Sequence, residues 1–123
     1  MNLTTARVFV GDLSQARQFY AESLGLPLKV DGSGFGYCVF EAGKAELVVE
    51  VVGEDAPKDE QILVGRFTGL SFSVDDVHMK HSELVAKGVE FSGPPEKQAW
   101  GGTLATLRDP SGNELQIVQR HAV

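Results

Sequence analysis

The sequence predicts an α+β protein of two tandem β-α-β-β-β modules, curved into a cleft-shaped sheet of about eight strands. Three observations lead there. The same order of elements occurs twice, and Val10-x-Asp12-Leu13 returns as Val74-x-Asp76-Val77 at an offset of 64. Gly25 and Gly88 close the two helical stretches at an offset of 63. Each module alone would be a small sheet with one helix and one bare face, so two copies are needed to bury the helix-facing sides and shape a concave surface.

In the first module, residues 5–10 alternate as a strand. Asp12 is a helix N-cap, residues 13–24 carry Ala16, Phe19, Tyr20 and Leu24 at helical spacing, and Gly25 is a natural C′ residue. Residues 26–30 form a short strand, Gly32, Gly34 and Gly36 mark a flexible turn, and strands 35–41 and 45–52 join at Ala42-Gly43. The first module is thus 1–52, with a charged connecting loop at 53–66. The second module, 67–121, repeats the plan. It has a strand at 69–74, a helix capped by Asp75 or Asp76 and ended by Gly88, and a short strand at 89–91. Gly93-Pro94-Pro95 is a turn, and strands 103–108 and 114–119 flank Asp109-Pro110-Ser111-Gly112. The stripe of the second helix is Val77, Leu84 and Val85.

Composition bounds the function. With 123 residues the chain can bury a genuine core, and 42% hydrophobic against 23% charged residues is ordinary for a globular protein. A net charge of −6 argues against nucleic acid, whose affinity rests on cations neutralising phosphates, and mildly favours cationic ligands. The single cysteine, Cys38, sits in an apolar run and reads as a small buried hydrophobe, which suits a reducing compartment. No basic segment followed by an apolar stretch opens the chain, and no apolar run approaches the ~20 residues of a membrane span. The expected location is therefore cytoplasmic, without a membrane or nucleic-acid partner.

Strand alternation assigns faces. Ala6, Val8 and Val10 should face the helix, leaving Thr5, Arg7 and Phe9 for the cleft. Glu46, Val48 and Glu50 share a face, as do Gly69, Ser71 and Ser73, and Glu114, Gln116 and Val118. Phe35, Tyr37 and Trp100 are either stacking residues for a flat ligand or core. Arg7 pairs with Glu46 or Glu50, or holds an anionic ligand. The ligand-binding candidates are Arg7, Phe9, Phe35, Tyr37, Val48, Glu50, Ser71, Trp100 and Gln116. His78 is expected at the surface, His81 at the core edge, and His121 in a frayed tail. Gly32-Ser-Gly-Phe-Gly36 is not a phosphate loop, because no helix follows and no Lys closes it.

Three stretches carry a family resemblance. Residues 10–26 (VGDLSQARQFYAESLGL) place FY before an LG ending, and residues 72–76 (FSVDD) with 87–91 (KGVEF) form a second strand-helix unit. Trp100-Gly-Gly102 with Arg108-Asp-Pro-Ser-Gly-Asn113 form the last hairpin. Together they resemble the vicinal oxygen chelate superfamily of glyoxalase I, the bleomycin resistance proteins and the extradiol dioxygenases. The resemblance implies a homodimer. In the enzymes it also implies a divalent metal held by His, Gln or Glu from the first and last strands of each half. Those positions fall on Thr5, Glu46, Gly69 and Gln116. Only Glu46 is a strong ligand, Gln116 is a weak oxygen donor, and neither first strand offers a His, Glu or Asp before its helix cap.

A bound metal is therefore disfavoured, and no cofactor is expected. The resemblance then points to a small-molecule binding protein of the bleomycin-resistance type, and so to antibiotic or aromatic-metabolite capture. The alternative is a glyoxalase-like lyase or isomerase, or a dioxygenase-like enzyme. It would use a reduced metal site or Glu46 as a catalytic acid or base.

Overall fold

The computed structural model describes residues 1–121 as two compact units. Unit one is Met1–Arg66 with Pro110–Asn113, and unit two is Phe67–Asp109 with the chain from Glu114 onward. The strands form two hydrogen-bonded sheets, of four and five strands.

Unit one starts with strand β1 (Thr5–Val10). Helix α1 (Leu13–Gln18) follows, capped by the Asp12 carboxylate, which accepts from the Gln15 amide at 3.0 Å. The helix widens into a π-helical segment, Phe19–Ser23, which carries the two aromatic residues that the helical spacing singles out. Strands β2 (Leu28–Gly32), β3 (Tyr37–Ala42) and β4 (Ala45–Val51) complete the sheet in the order β1-β4-β3-β2. A 3-10 turn, Ser33–Phe35, joins β2 to β3. β1 is parallel to β4, whereas the other neighbours are antiparallel.

Alternation decides what is buried. Val8, Val10, Cys38, Phe40, Leu47 and Val49 are buried, as are Ala16, Phe19 and Tyr20 of the helical segment. Phe19 meets Tyr20 edge-on at 5.1 Å, and Tyr20 lies 5.9 Å from Phe40, so the helix-to-sheet contact is an aromatic one. The 53–66 connection is not all loop: it contains the short helix α2 (Lys58–Gln61), which starts after Pro57.

Unit two contains β5 (Phe67–Ser73), α3 (Val77–Ala86), β6 (Glu90–Phe91), β7 (Glu96–Lys97), β8 (Thr103–Arg108) and β9 (Glu114–Gln119). The order is β5-β9-β8-β6, with β7 also paired to β8. β7 is a two-residue strand directly after Pro95, in a stretch where the sequence predicts only a turn. Asp76, rather than Asp75, caps α3, accepting from the Met79 amide at 3.0 Å. Val77 and Leu84 of α3 are buried with Val89, Ala105, Leu107, Leu115 and Ile117. Val85 is not part of the buried stripe and stays exposed. Among the described residues, no helix is long and apolar enough to cross a membrane.

Candidate functional site

In unit one, the sheet register builds the face opposite the helix. Thr5 lies beside Glu46, Arg7 beside Val48, and Phe9 beside Glu50. Across β4, Glu46 opposes Glu41, Val48 opposes Val39, and Glu50 opposes Tyr37. Three rungs result, Thr5–Glu46–Glu41, Arg7–Val48–Val39 and Phe9–Glu50–Tyr37, so the expected face residues come together.

Arg7, Glu50 and Glu46 of this face are each engaged in an ion pair. Arg7 Nη2 donates to Glu50 Oε1 at 2.7 Å, and its guanidinium lies 5.2 Å from the centre of the Phe9 ring. Glu46 is held instead by Lys29, Nζ to Oε2 at 2.8 Å. Both pairs remain open to water, with side chains 37% to 55% exposed, so solvent screens each and neither adds much to stability. The Glu46 carboxylate, by hydrogen bond and by charge, pushes the Lys29 ammonium above the usual lysine range.

Beside this face, Asp31 accepts from the backbone amide and hydroxyl of Ser33 and pairs with Arg17 at 3.2 Å. The Ser33 bonds are the main reason its carboxyl is held below the usual range, with Arg17 adding to them. The Cys38 thiol is buried, and desolvation pushes it up, away from the thiolate form that makes a cysteine reactive.

The aromatic candidates separate. Tyr37 packs its ring against the backbone of Gly32, where an added Cβ would come within 2.5 Å of the ring. Only glycine fits beneath it. Phe35 is not core: it stands 89% exposed on the 3-10 turn. Trp100 is not core either, being 60% exposed with its ring lying on Gly102 in unit two.

Unit two departs from a regular strand ladder at Gly69. Gly69 has φ +75, and the pairing of β5 with β9 shifts between Phe67 and Ser71. This is a β-bulge built on a residue that tolerates the left-handed region. Thr68 Oγ1 secures it, donating to the Glu114 carbonyl at 2.7 Å and accepting from the Leu70 amide at 3.1 Å. Ser71, not Gly69, therefore lies beside Gln116. Ser71 Oγ donates to Gln116 Oε1 at 3.5 Å, and Gln116 Nε2 donates to Thr106 Oγ1 at 3.2 Å. Thr106 was not among the sequence candidates. Its signal is its place directly across β9 from Gln116, which becomes visible only once the β8–β9 register is known.

The histidines stay apart from these faces. His78 is exposed, and His81 packs edge-on against Phe91 at 4.5 Å. His121 is not simply frayed, because its Nε2 reaches Thr103 Oγ1 at 3.5 Å.

A sequence-family model for the glyoxalase/bleomycin resistance protein/dioxygenase superfamily matches residues 2–117. The chain belongs to that superfamily. The chain is similar to the Bacillus subtilis (strain 168) uncharacterized protein YraH, 31% identical over 125 residues, covering 95% of this chain and 97% of that one. Another B. subtilis (strain 168) relative, uncharacterized protein YurT, is 30% identical over 128 residues, covering 98% and 100%. Among solved structures, a superfamily member from Sphaerobacter thermophilus DSM 20745 superposes with TM-score 0.82 at 24% identity, covering 98% of each chain. Lactoylglutathione lyase from Agrobacterium tumefaciens superposes with TM-score 0.77 at 19% identity, covering 96% of this chain and 92% of its own. These two likenesses show the shared fold.

The superfamily's enzymes imply a metal, and the donors here do not fit one. In unit one, Thr5 is a poor ligand and Glu46 is already held by an ammonium. In unit two, Gly69 has no side chain, and Gln116 offers only a neutral amide oxygen, a weak donor. Among the described residues, no group of three or more His, Cys, Asp or Glu side chains is placed to hold an ion.

Proposed function

We propose that this superfamily member captures a small organic molecule stoichiometrically and runs no metal-assisted reaction. The observation that carries this reading is the chemistry of the four inherited ligand positions: a threonine, an ammonium-bound glutamate, a bulged glycine and an amide already engaged with two hydroxyls. The Glu46 carboxylate is also engaged, paired with Lys29 at the surface. The open faces support binding instead. Arg7, Phe9, Val48, Glu50 and Tyr37 form a mixed aromatic, aliphatic and ionic surface on unit one, and Ser71 and Gln116 form a polar one on unit two. Phe35 and Trp100 add exposed rings for stacking. The reading carries with it a homodimer in the cytoplasm and, where the ligand is an antibiotic, resistance by sequestration.

Native mass spectrometry of the purified protein, before and after incubation with Zn(II), Ni(II), Mn(II) and Fe(II), tests it. The expected spectrum is a dimer whose mass is unchanged by metal, empty or carrying an organic adduct. One tightly held metal per chain overturns the reading.

A further inference from the structure

Resting on the binding reading above, we propose that unit two holds an uncharged planar amide, such as a lactam, imide or carboxamide. The site is the rung Ser71–Gln116–Thr106, walled by Phe67.

The argument starts at the bulge. With φ +75 at Gly69, β5 gains two residues relative to β9 between Phe67 and Ser71, and Ser71 comes into register with Gln116. Gln116 in turn opposes Thr106 on β8, so three neutral polar side chains share one rung across three strands. A primary amide has two N–H donors and a carbonyl with two lone pairs. Here one N–H goes to Thr106 and one lone pair receives Ser71. The second N–H and second lone pair are uncommitted among the described residues. A donor and an acceptor side by side match the complementary edge of another amide, which presents the same two functions in one plane.

The surroundings select against charge. Arg108, two residues from Thr106 on β8, is taken by Glu90 at 3.2 Å and Glu114 at 3.5 Å. Ser71, Gln116 and Thr106 carry no charge, so a carboxylate or ammonium ligand would lose water without meeting a counter-ion. The wall is aromatic. The Phe67 ring edge lies 3.9 Å from where a Cβ on Gly69 would stand, and Phe67 is 57% exposed. A flat ligand can therefore lay a face on Phe67 while its amide edge meets Gln116.

Three isosteric probes test this on the intact protein: benzamide, benzoate and benzamidine, each titrated into 15N-labelled protein and followed by heteronuclear NMR. Benzamide is expected to shift the Gln116 side-chain NH2 pair and the backbone amides of Ser71 and Thr106. Gln116→Leu removes both hydrogen bonds to the ligand and should weaken benzamide by about 25-fold, whereas Ser71→Ala, at a residue that only orients the Gln116 amide, should weaken it by less. Lys58→Gln, on α2, should leave it unchanged. Benzoate or benzamidine shifting the same resonances as strongly would overturn the neutral-amide assignment while leaving a small-molecule binder. Benzamide shifting none of the three residues would also overturn it. A saturable one-to-one response to added zinc would overturn the binding reading itself.

Discussion

Individual residues set the local chemistry. Gly69 occupies a backbone region that an L-residue enters at a cost, so Gly69→Ala should lower stability by about 1–2 kcal/mol in urea unfolding. Gly69→His should be at least as destabilising and should gain no zinc affinity, because the bulge, and not only the missing side chain, removes that position from the ligand set. Asp31 and Lys29 make opposite pH statements. The Asp31 carboxyl is lowered in the folded protein, so its contribution is present above the ordinary carboxylate value and fades as pH falls through the folded one. Ser33→Ala removes the largest cause and should raise the Asp31 titration midpoint, read by 13C NMR of its carboxyl. Lys29 is raised, so its contribution is present below the ordinary lysine value and is lost only as pH climbs through the folded one. Cys38, buried and pushed toward the thiol, should resist alkylation in native protein and react once the chain is unfolded in urea.

At the scale of elements, the helices are held by caps and by aromatic burial. The two Asp caps occupy equivalent places at Asp12 and Asp76, each accepting an amide three residues on. Asp76→Ala should cost about 1 kcal/mol by equilibrium unfolding. The π-helical segment rests on Tyr20, which has no exposed surface and contacts both Phe19 and Phe40. Phe40→Ala should be far more damaging, at about 3–5 kcal/mol. Caps and apolar spacing were legible in the sequence because each depends on residues within a turn or two of one another. The π-helical widening, β7 and the Gly69 bulge were not. The first two have no periodicity of their own, and the bulge exists only relative to the register of another strand.

At the scale of the molecule, the turn after Asp109 does more than reverse the chain. Its last residue, Asn113, is fully buried and belongs with unit one. Its Nδ2 donates to the Phe9 carbonyl at 2.7 Å, and its Oδ1 accepts from the Gly65 amide at 2.9 Å and the Arg66 amide at 3.3 Å. Ser111 adds a bond from the Gly11 amide at 3.0 Å. A segment near the end of the sequence thus satisfies backbone groups of β1 and of the 53–66 connection. Asn113→Ala removes three part-buried hydrogen bonds made by a fully buried side chain, and should lower stability by about 1–3 kcal/mol in urea unfolding.

The sequence by itself determined the repeated β-α-β-β-β plan, the buried face of most strands and the superfamily. Each of these is a matter of residue type at fixed spacing. Only the tertiary structure decided that Arg7 chooses Glu50, that Lys29 takes Glu46, that Ser71 rather than Gly69 meets Gln116, and that Asn113 serves unit one. Those outcomes depend on which strands lie side by side and in what register. That information is held by pairs of residues 17 to 104 positions apart in these four cases, where no local pattern reaches.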